Sequence, residues 1–344
     1  MSWDISYKIM GVGAGRRPGA GAVLAGGGDE TFNPWLSVMC SMLAHPLPPG
    51  QIAADGLLFD QIITGISIGS RLFLVAVGLS LIFGVLDVLN FTHGVLYMIG
   101  AYVTVVVVDS ALGSFWLGVV AAIAVVAVVG GVLEAVFIRR LYGRDEEVLD
   151  QLLLTFAFVL ILTDVVRIVF GSQSRLIGQP ELFAGNIQFT AGLAIPTYRA
   201  FVIVVAVAVL AGLQAVLRFT NVGRVVRATT SDRDMARLLG VNVPQLYTLV
   251  FVVGAGLAGL GGALAAPLQS VSPALGDQVV INAFVVVVIG GLGSFTGAFI
   301  GAMIIGLLIA VFSGVAGAGV LFPFLAMIVV LILKPTGLLG GVEA

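Results

Sequence analysis

The sequence predicts an all-α integral membrane protein with about eight membrane segments, some of them broken or re-entrant. Three observations carry that prediction. Hydrophobic residues make up 59% of the chain and charged residues 10%, with a mean hydropathy of +1.15; an ordinary soluble domain has about 25% charged residues. Apolar runs recur from Leu57 to Leu333, several of them near the roughly 20 residues that a helix needs to cross hydrocarbon. Arginines gather in two of the intervening loops, as they do on the cytoplasmic side of membrane proteins.

The same residues exclude other classes. Lys8 and Lys334 are the only lysines, and neither stands in a phosphate-cradling G-x-x-x-x-G-K-[ST] loop. Cys40 is the single cysteine and His45 and His93 the only histidines, so neither a disulfide within the chain nor a metal centre is expected. No H-E-x-x-H and no strand-linked G-x-G-x-x-G is present. The expectation is a protein that is not an enzyme, with no cofactor and no nucleic-acid partner. The formal charge of −2 says little, because the charges are sorted by loop.

Residues 1–55 read as a disordered extension. GVGAGRRPGAGAVLAGGGDE lacks periodicity and HPLPPG is a breaker cluster. No apolar run there reaches membrane length, and glycines follow the Arg pair where a signal peptide would have its apolar core. Met39 and Met42 offer alternative starts. The membrane domain is expected over 56–340. Leu57 to Phe83 is one long run or two half-segments, with Arg71 near its middle. Gly84 to Gly94 is polar and turn-like, and Val95 to Val108 is apolar but short. Phe115 to Ile138 spans, with Glu134 near its end; Arg139, Arg140 and Arg144 mark a cytoplasmic loop. Val148 to Phe170 spans, and Gly171 to Thr197 is a polar outer loop.

Tyr198 to Leu217 and Leu246 to Ala266 flank a basic insert over 218–243, which holds Arg218, Arg224, Arg227, Arg233 and Arg237. Within it the pattern predicts a short amphipathic helix over 232–239, N-capped by Ser231 with Asp234 completing a capping box. Asp232 and Asp234 suit its first turn and Arg237 its last. Met235, Leu238 and Leu239 share a face, Gly240 fits the C′ position, and Pro244 forbids easy continuation. Gly254, Ala258, Gly262 and Ala266 then form a small-residue face of the kind that lets helices approach closely in lipid. Val279 to Gly290, Ala298 to Phe312 and Leu321 to Leu333 complete the chain, with an interruption at GGLGSFTG. Both arginine loops follow odd-numbered segments, and the same count puts the N-terminus outside.

Ionisable groups within spans face a bundle interior or water. Asp87, Asn90, Thr92 and His93 cluster at the first break, with Asn282 and Thr296 flanking the second, and these six are the candidate translocation pathway. NFTHGVLYMIGAYV (90–103) and SFTGAFIGAMII (294–305) echo each other in placing Phe-Thr beside glycine, and paired interrupted segments point to a central pathway. Asp164 and Arg167 are spaced to pair along one helix, Glu134 suits Arg139 and Arg140, and Arg71 either snorkels or faces water.

LSLIFGVLDVLNFTHGVLYMIGAYV (79–103) resembles the first signature of LivH-type permeases of branched-chain amino acid ABC importers, with Thr92 where the family usually has Ala. NVGRVVRATTSDRDMARLLGVNV (221–243) is similar to their cytoplasmic loop, whose G-R-x-x-R-A and D-x-x-x-A-x-x-x-G elements fall on Gly223, Arg224, Arg227, Ala228, Asp232, Ala236 and Gly240. VVVVIGGLGSFTGAFIGA (285–302) and KPTGLLG (334–340) match two further stretches. Arg71 stands where the family normally has a small or uncharged residue.

The resemblance implies a multi-pass subunit of a prokaryotic cytoplasmic (inner) membrane. It implies pairing with a second, related permease, docking of two ABC ATPase subunits on the loops, and delivery by a periplasmic or lipid-anchored substrate-binding protein. The ATPase contacts would fall on Arg224, Arg227, Asp232, Arg233, Met235, Ala236, Arg237, Leu238, Leu239 and Gly240. Branched-chain amino acids are the default solutes, with urea or short amides as alternatives. An ion-coupled secondary transporter using Asp87, Asp164 or Glu134 is the rival mechanism.

Overall fold

The longest apolar run forms a single uninterrupted helix. In this computed structural model, which describes residues 54–110, 113–142, 147–190, 193–315 and 317–340, α1 spans Ala54–Leu86, 33 residues. Of the two arrangements open for that run, the structure takes the unbroken one. All but the last two residues of the expected N-terminal extension, and Arg144, lie outside the described residues. The helices that follow are α2 (Thr92–Asp109), α3 (Phe115–Val136), α4 (Glu147–Phe170), α5 (Thr197–Phe219), α6 (Asn221–Ser231), α7 (Arg233–Leu238), α8 (Val243–Ala265), α9 (Leu275–Gly290), α10 (Phe295–Val311) and α11 (Ala318–Leu333). A two-stranded antiparallel hairpin, β1 (Asn186–Thr190) and β2 (Leu193–Pro196), stands in the expected outer loop.

Among the described helices, α1 to α5 and α8 are long and apolar enough to cross a membrane, and α9 to α11 are shorter apolar helices. The chain is an all-α integral membrane protein. Each of the three short runs after Asp277 forms its own helix, so the described apolar helices number nine where about eight segments were expected.

The bundle has two halves, each built on one antiparallel helix pair. α10 lies along α1, where Gly65 and Gly69 abut Leu307 and Ala302. α3 lies along α8 in the same manner, with Gly130 on Ala255 and Gly259 on Ala122. At the seam between the halves, α1 meets α8 at Gly78 and Gly254, and α2 meets α9 at Gly94 and Gly276. A Cβ built on Gly78 would stand 2.6 Å from the Gly254 carbonyl oxygen, and one on Gly254 would stand 3.0 Å from that of Gly78. Close backbone approach replaces side-chain interdigitation there, as small residues allow in lipid. The predicted small-residue face of α8 thus packs inward: Gly254 meets α1, and Gly262 meets the Tyr97 carbonyl of α2.

α1 and α8 run in opposite senses, so α1–α2–α3 and α8–α9–α10 form an inverted-topology repeat. The Phe-Thr echo is out of register with it. Phe91-Thr92 leads into α2, whereas Phe295-Thr296 opens α10, the counterpart of α3. The echo reflects local chemistry shared by two helix starts. Asn90 Oδ1 accepts from the Thr92 amide at 3.1 Å, and Ser294 Oγ accepts from the Gly297 amide at 3.0 Å.

Candidate functional site: a coupling surface and an interrupted core

The basic insert folds as two helices with no slack between them. Thr220 caps α6 by accepting from the Gly223 amide at 3.2 Å, and α6 buries Gly223, Val226 and Thr229 against the body. Ser231, expected to cap the next helix, is instead the last residue of α6. Asp232 both closes α6, donating its amide to Ala228 O at 3.1 Å, and caps α7, its Oδ1 accepting from Asp234 N at 3.0 Å and Met235 N at 2.9 Å. A carboxylate satisfies two amides at once and meets the helix dipole with a full charge, which a serine hydroxyl does not.

The far end of α7 closes as a Schellman motif. Val241 N donates to Ala236 O at 3.1 Å and Gly240 N to Arg237 O at 3.0 Å, with Gly240 at φ +89°. The predicted C′ glycine is therefore in place. Ala236 is buried, whereas Met235, Leu238 and Leu239 are 53%, 82% and 76% exposed. Arg237 pairs with Asp234 at 3.4 Å on the surface. Arg224 and Arg227 are exposed and bond Asn221 Oδ1 and Leu217 O.

Arg233 turns the other way. Its Nη2 donates to Leu86 O, the last residue of α1, at 3.1 Å, and its guanidinium lies 5.6 Å from the Tyr247 ring centroid. It ties α7 to the end of α1 and to the first turns of α8. The second arginine loop reaches the same end of the bundle. Arg139 donates to Pro244 O at 3.1 Å and to Thr248 Oγ1, and pairs with the buried Glu134 at 3.7 Å. Tyr142 donates to Glu134 at 3.4 Å. Burial and the neighbouring carboxylate hold its hydroxyl above the usual phenol range, so it remains a donor.

The first break is re-entrant. Asp87 takes φ +59°, a left-handed conformation that Asp tolerates better than most residues. The chain then turns back along α1, and His93 Nε2 stands 3.1 Å from Val75 O. A carbonyl oxygen only accepts, so Nε2 carries the proton. Val75 lies eleven residues before the end of α1, so α2 begins roughly 16 Å inside the bundle at 1.5 Å per residue. Non-helical backbone at that depth persists because it is covered by protein.

Asn90, Thr92 and His93 come together there, all fully buried, with Thr92 Oγ1 donating to Thr155 O of α4 at 3.0 Å. Asp87 is exposed at the basic end. The second break meets the first: Gly84 abuts Gly293, and the Phe91 and Phe284 rings are 4.9 Å apart. Asn282 is half-buried on α9, and Thr296 accepts from Gln214 of α5 at 2.9 Å.

The intramembrane carboxylates singled out from the sequence are accounted for. Asp164 pairs with Arg167 at 3.1 Å on an exposed face, and Glu134 is held by Arg139, Thr248 and Tyr142. Sequence reasoning missed a polar seam around Arg71. Arg71 Nη1 donates to Gln269 Oε1 at 3.1 Å, and Gln269 Nε2 donates to the Tyr97 hydroxyl at 3.1 Å. Two turns away, Arg199 donates to Thr64 at 2.6 Å and faces Asp60 at 3.6 Å. Asp60, Thr64, Ser67 and Arg71 recur at four-, three- and four-residue steps, one face of a helix, and that spacing was the available signal.

Residues 61–333 match the model of a family described as branched-chain amino acid transport system / permease component. The chain is 31% identical to the high-affinity branched-chain amino acid transport system permease protein LivH of Escherichia coli K12, over 83% of this chain and 96% of that protein. The corresponding figures for BraD of Pseudomonas aeruginosa, a permease protein of the same description, are also 31%, 83% and 96%. A probable branched-chain amino acid transport permease protein of Methanocaldococcus jannaschii is 28% identical, over 81% and 92%. No solved structure matches.

Proposed function

We propose, for a chain that belongs to the branched-chain amino acid transport system permease family, the role of a membrane subunit in an ABC importer of branched-chain amino acids. A second, related permease completes the membrane unit. Two ATPase subunits bind the basic end, which by its arginines faces the cytoplasm, and a periplasmic or lipid-anchored binding protein delivers solute to the opposite end. The membrane is the inner membrane of a prokaryote. Permease relatives support the transport role, and ATP is hydrolysed by the partners, since this chain has no phosphate-cradling loop.

The observation that carries the ATPase contact is α7. It is a six-residue helix fixed at both ends, yet it leaves three large apolar side chains in water. A groove on an ATPase subunit that takes Met235, Leu238 and Leu239 accounts for both features. Arg224, Arg227 and Arg237 supply the charged rim, and Asp232, Ala236 and Gly240 hold the helix in shape. Arg233 passes the motion on, because it grips the end of α1. Solute passes near the meeting of the two breaks, where Asn90, Thr92, His93 and Asn282 supply polar groups, with Asp87 and Thr296 toward the basic end. ATP-driven closure of the ATPase pair rocks one half of the repeat against the other.

The test is a gentle-detergent pull-down of the tagged chain from its own membranes. Two ATPases and a second permease are expected to co-purify, and Met235→Asp with Leu238→Asp is expected to remove the ATPases while the chain stays in the membrane. A chain that arrives alone and transports without ATP defeats the proposal in favour of ion coupling.

A further inference from the structure

Among the described residues, Arg71 has no counter-charge. Its guanidinium carries five N–H donors. Nη1 is spent on Gln269 and Nε makes a long 3.5 Å contact to Ser67 O. Among the described residues, Arg71 forms no ion pair and Nη2 makes no hydrogen bond. An arginine within a membrane helix is expensive and is retained where it meets a polar partner or an aqueous path. The partner it has is neutral. Beside it the Tyr97 hydroxyl accepts from Gln269, which leaves the tyrosine's own proton free to donate. Both residues with an unspent donor are thus held by the one Gln269 side chain.

The approach to that place is polar. Asp60, Thr64 and Ser67 precede Arg71 on one face of α1, and Arg199 of α5 lies across from the first two. Gln269 sits just beyond the end of α8, and along the polar face exposure falls from the exposed Asp60 through the half-buried Thr64 to the buried Ser67. The chemistry that fits is a planar anion offering two acceptor oxygens, the partner that the guanidinium fork matches best. Uncharged solutes such as urea would leave the arginine's charge uncompensated.

We infer that Arg71, assisted by Tyr97 and positioned by Gln269, forms an outward-facing binding site for the carboxylate of the transported solute. This rests on the importer role proposed above and restricts its substrates to carboxylates. The amide of Gln269 holds the fork in place without neutralising it, and the solute's carboxylate supplies the missing charge during passage. A neutral anchor suits a transport site, because a resident carboxylate would compete with the cargo.

The test uses the whole transporter, this chain with its co-purifying subunits and binding protein, in proteoliposomes. Radiolabelled leucine is the probe, with urea as the uncharged comparison. Wild-type uptake of leucine driven by ATP checks the importer role first; failure at that step, with urea carried instead, overturns both proposals. Given wild-type uptake, Arg71→Gln is expected to cut leucine transport at least tenfold and Arg71→Lys less severely. Gln269→Glu is the decisive variant, since it places a carboxylate against Arg71 and relieves its unpaired charge. Uptake is expected to fall at least tenfold while the melting temperature of the complex holds or rises. Leucine uptake within twofold of wild type in either Arg71→Gln or Gln269→Glu overturns the inference. So does a loss in Gln269→Glu that merely tracks a lowered melting temperature. If Arg71→Gln does not assemble, Gln269→Glu alone decides.

Discussion

The seam between the two halves and the insert that carries α7 are held together by opposite means. At the seam, helix backbones touch: Gly78, Gly254 and Gly94 leave no room for a methyl group, and Gly276 leaves little. In the insert, hydrogen bonds at the two ends of a short helix fix its shape, while Met235, Leu238 and Leu239 remain more than half exposed. The seam answers to the geometry of this one fold. The insert, on the reading proposed above, answers to a surface on a partner. A substitution at the seam should therefore damage folding, and one on the insert should damage association alone.

The largest effect is expected at the seam. Gly78→Leu forces a branched side chain against the Gly254 carbonyl and the His93 ring. Overpacking of this kind costs about 1–3 kcal/mol and more where backbone is the obstacle. Loss of monodisperse protein after detergent extraction is the expected readout, and an unchanged elution profile would show the seam to be looser than described. Next comes Met235→Asp with Leu238→Asp. Melting temperature should stay within a few degrees, because both side chains are exposed, while ATPase co-purification is lost.

A smaller, local effect is expected from Gly240→Ala. A left-handed non-glycine residue costs about 1–2 kcal/mol, enough to fray α7, and amide exchange at Ala236 to Val241 should quicken with little change elsewhere. The smallest is Gly212→Ala on α5, where nothing lies within 4 Å of the added carbon. Helix propensity alone favours alanine, by under 1 kcal/mol in a soluble helix, so a slight gain in melting temperature or no change is expected.

The legible parts of the sequence were those governed by one chemical variable. Hydropathy located the long apolar helices, and arginine counting put Arg139 and Arg233 at one end of the bundle. The C′ role of Gly240 followed from its position after an apolar pair. What escaped depended on two elements at once. Whether Leu57 to Phe83 breaks is decided by Gly65, Gly69 and Gly78, which look like helix weakeners until α10 and α8 are set against them. The cap of α7 moved from Ser231 to Asp232 because α6 claims Ser231 first. α6 itself was hidden by its glycine, valines and threonines, poor helix formers, although Gly223, Val226 and Thr229 at three-residue steps mark its buried face. Arg71 looked anomalous as a single letter, and its meaning came only with Gln269, 198 positions away.

The length of α1 has a mechanical consequence. Its 33 residues extend about 50 Å at 1.5 Å per residue, well beyond the roughly 30 Å of hydrocarbon in a bilayer. Arg233 grasps its terminal carbonyl, and Arg71 sits near its midpoint. A rod of that length pivoting by about 5° sweeps its far end through roughly 4 Å, one hydrogen bond's worth of reach and more. On the reading proposed above, Arg71, about 22 Å from that grip, moves roughly half as far, so a pivot at α7 reaches the solute's arginine with no messenger but the helix itself.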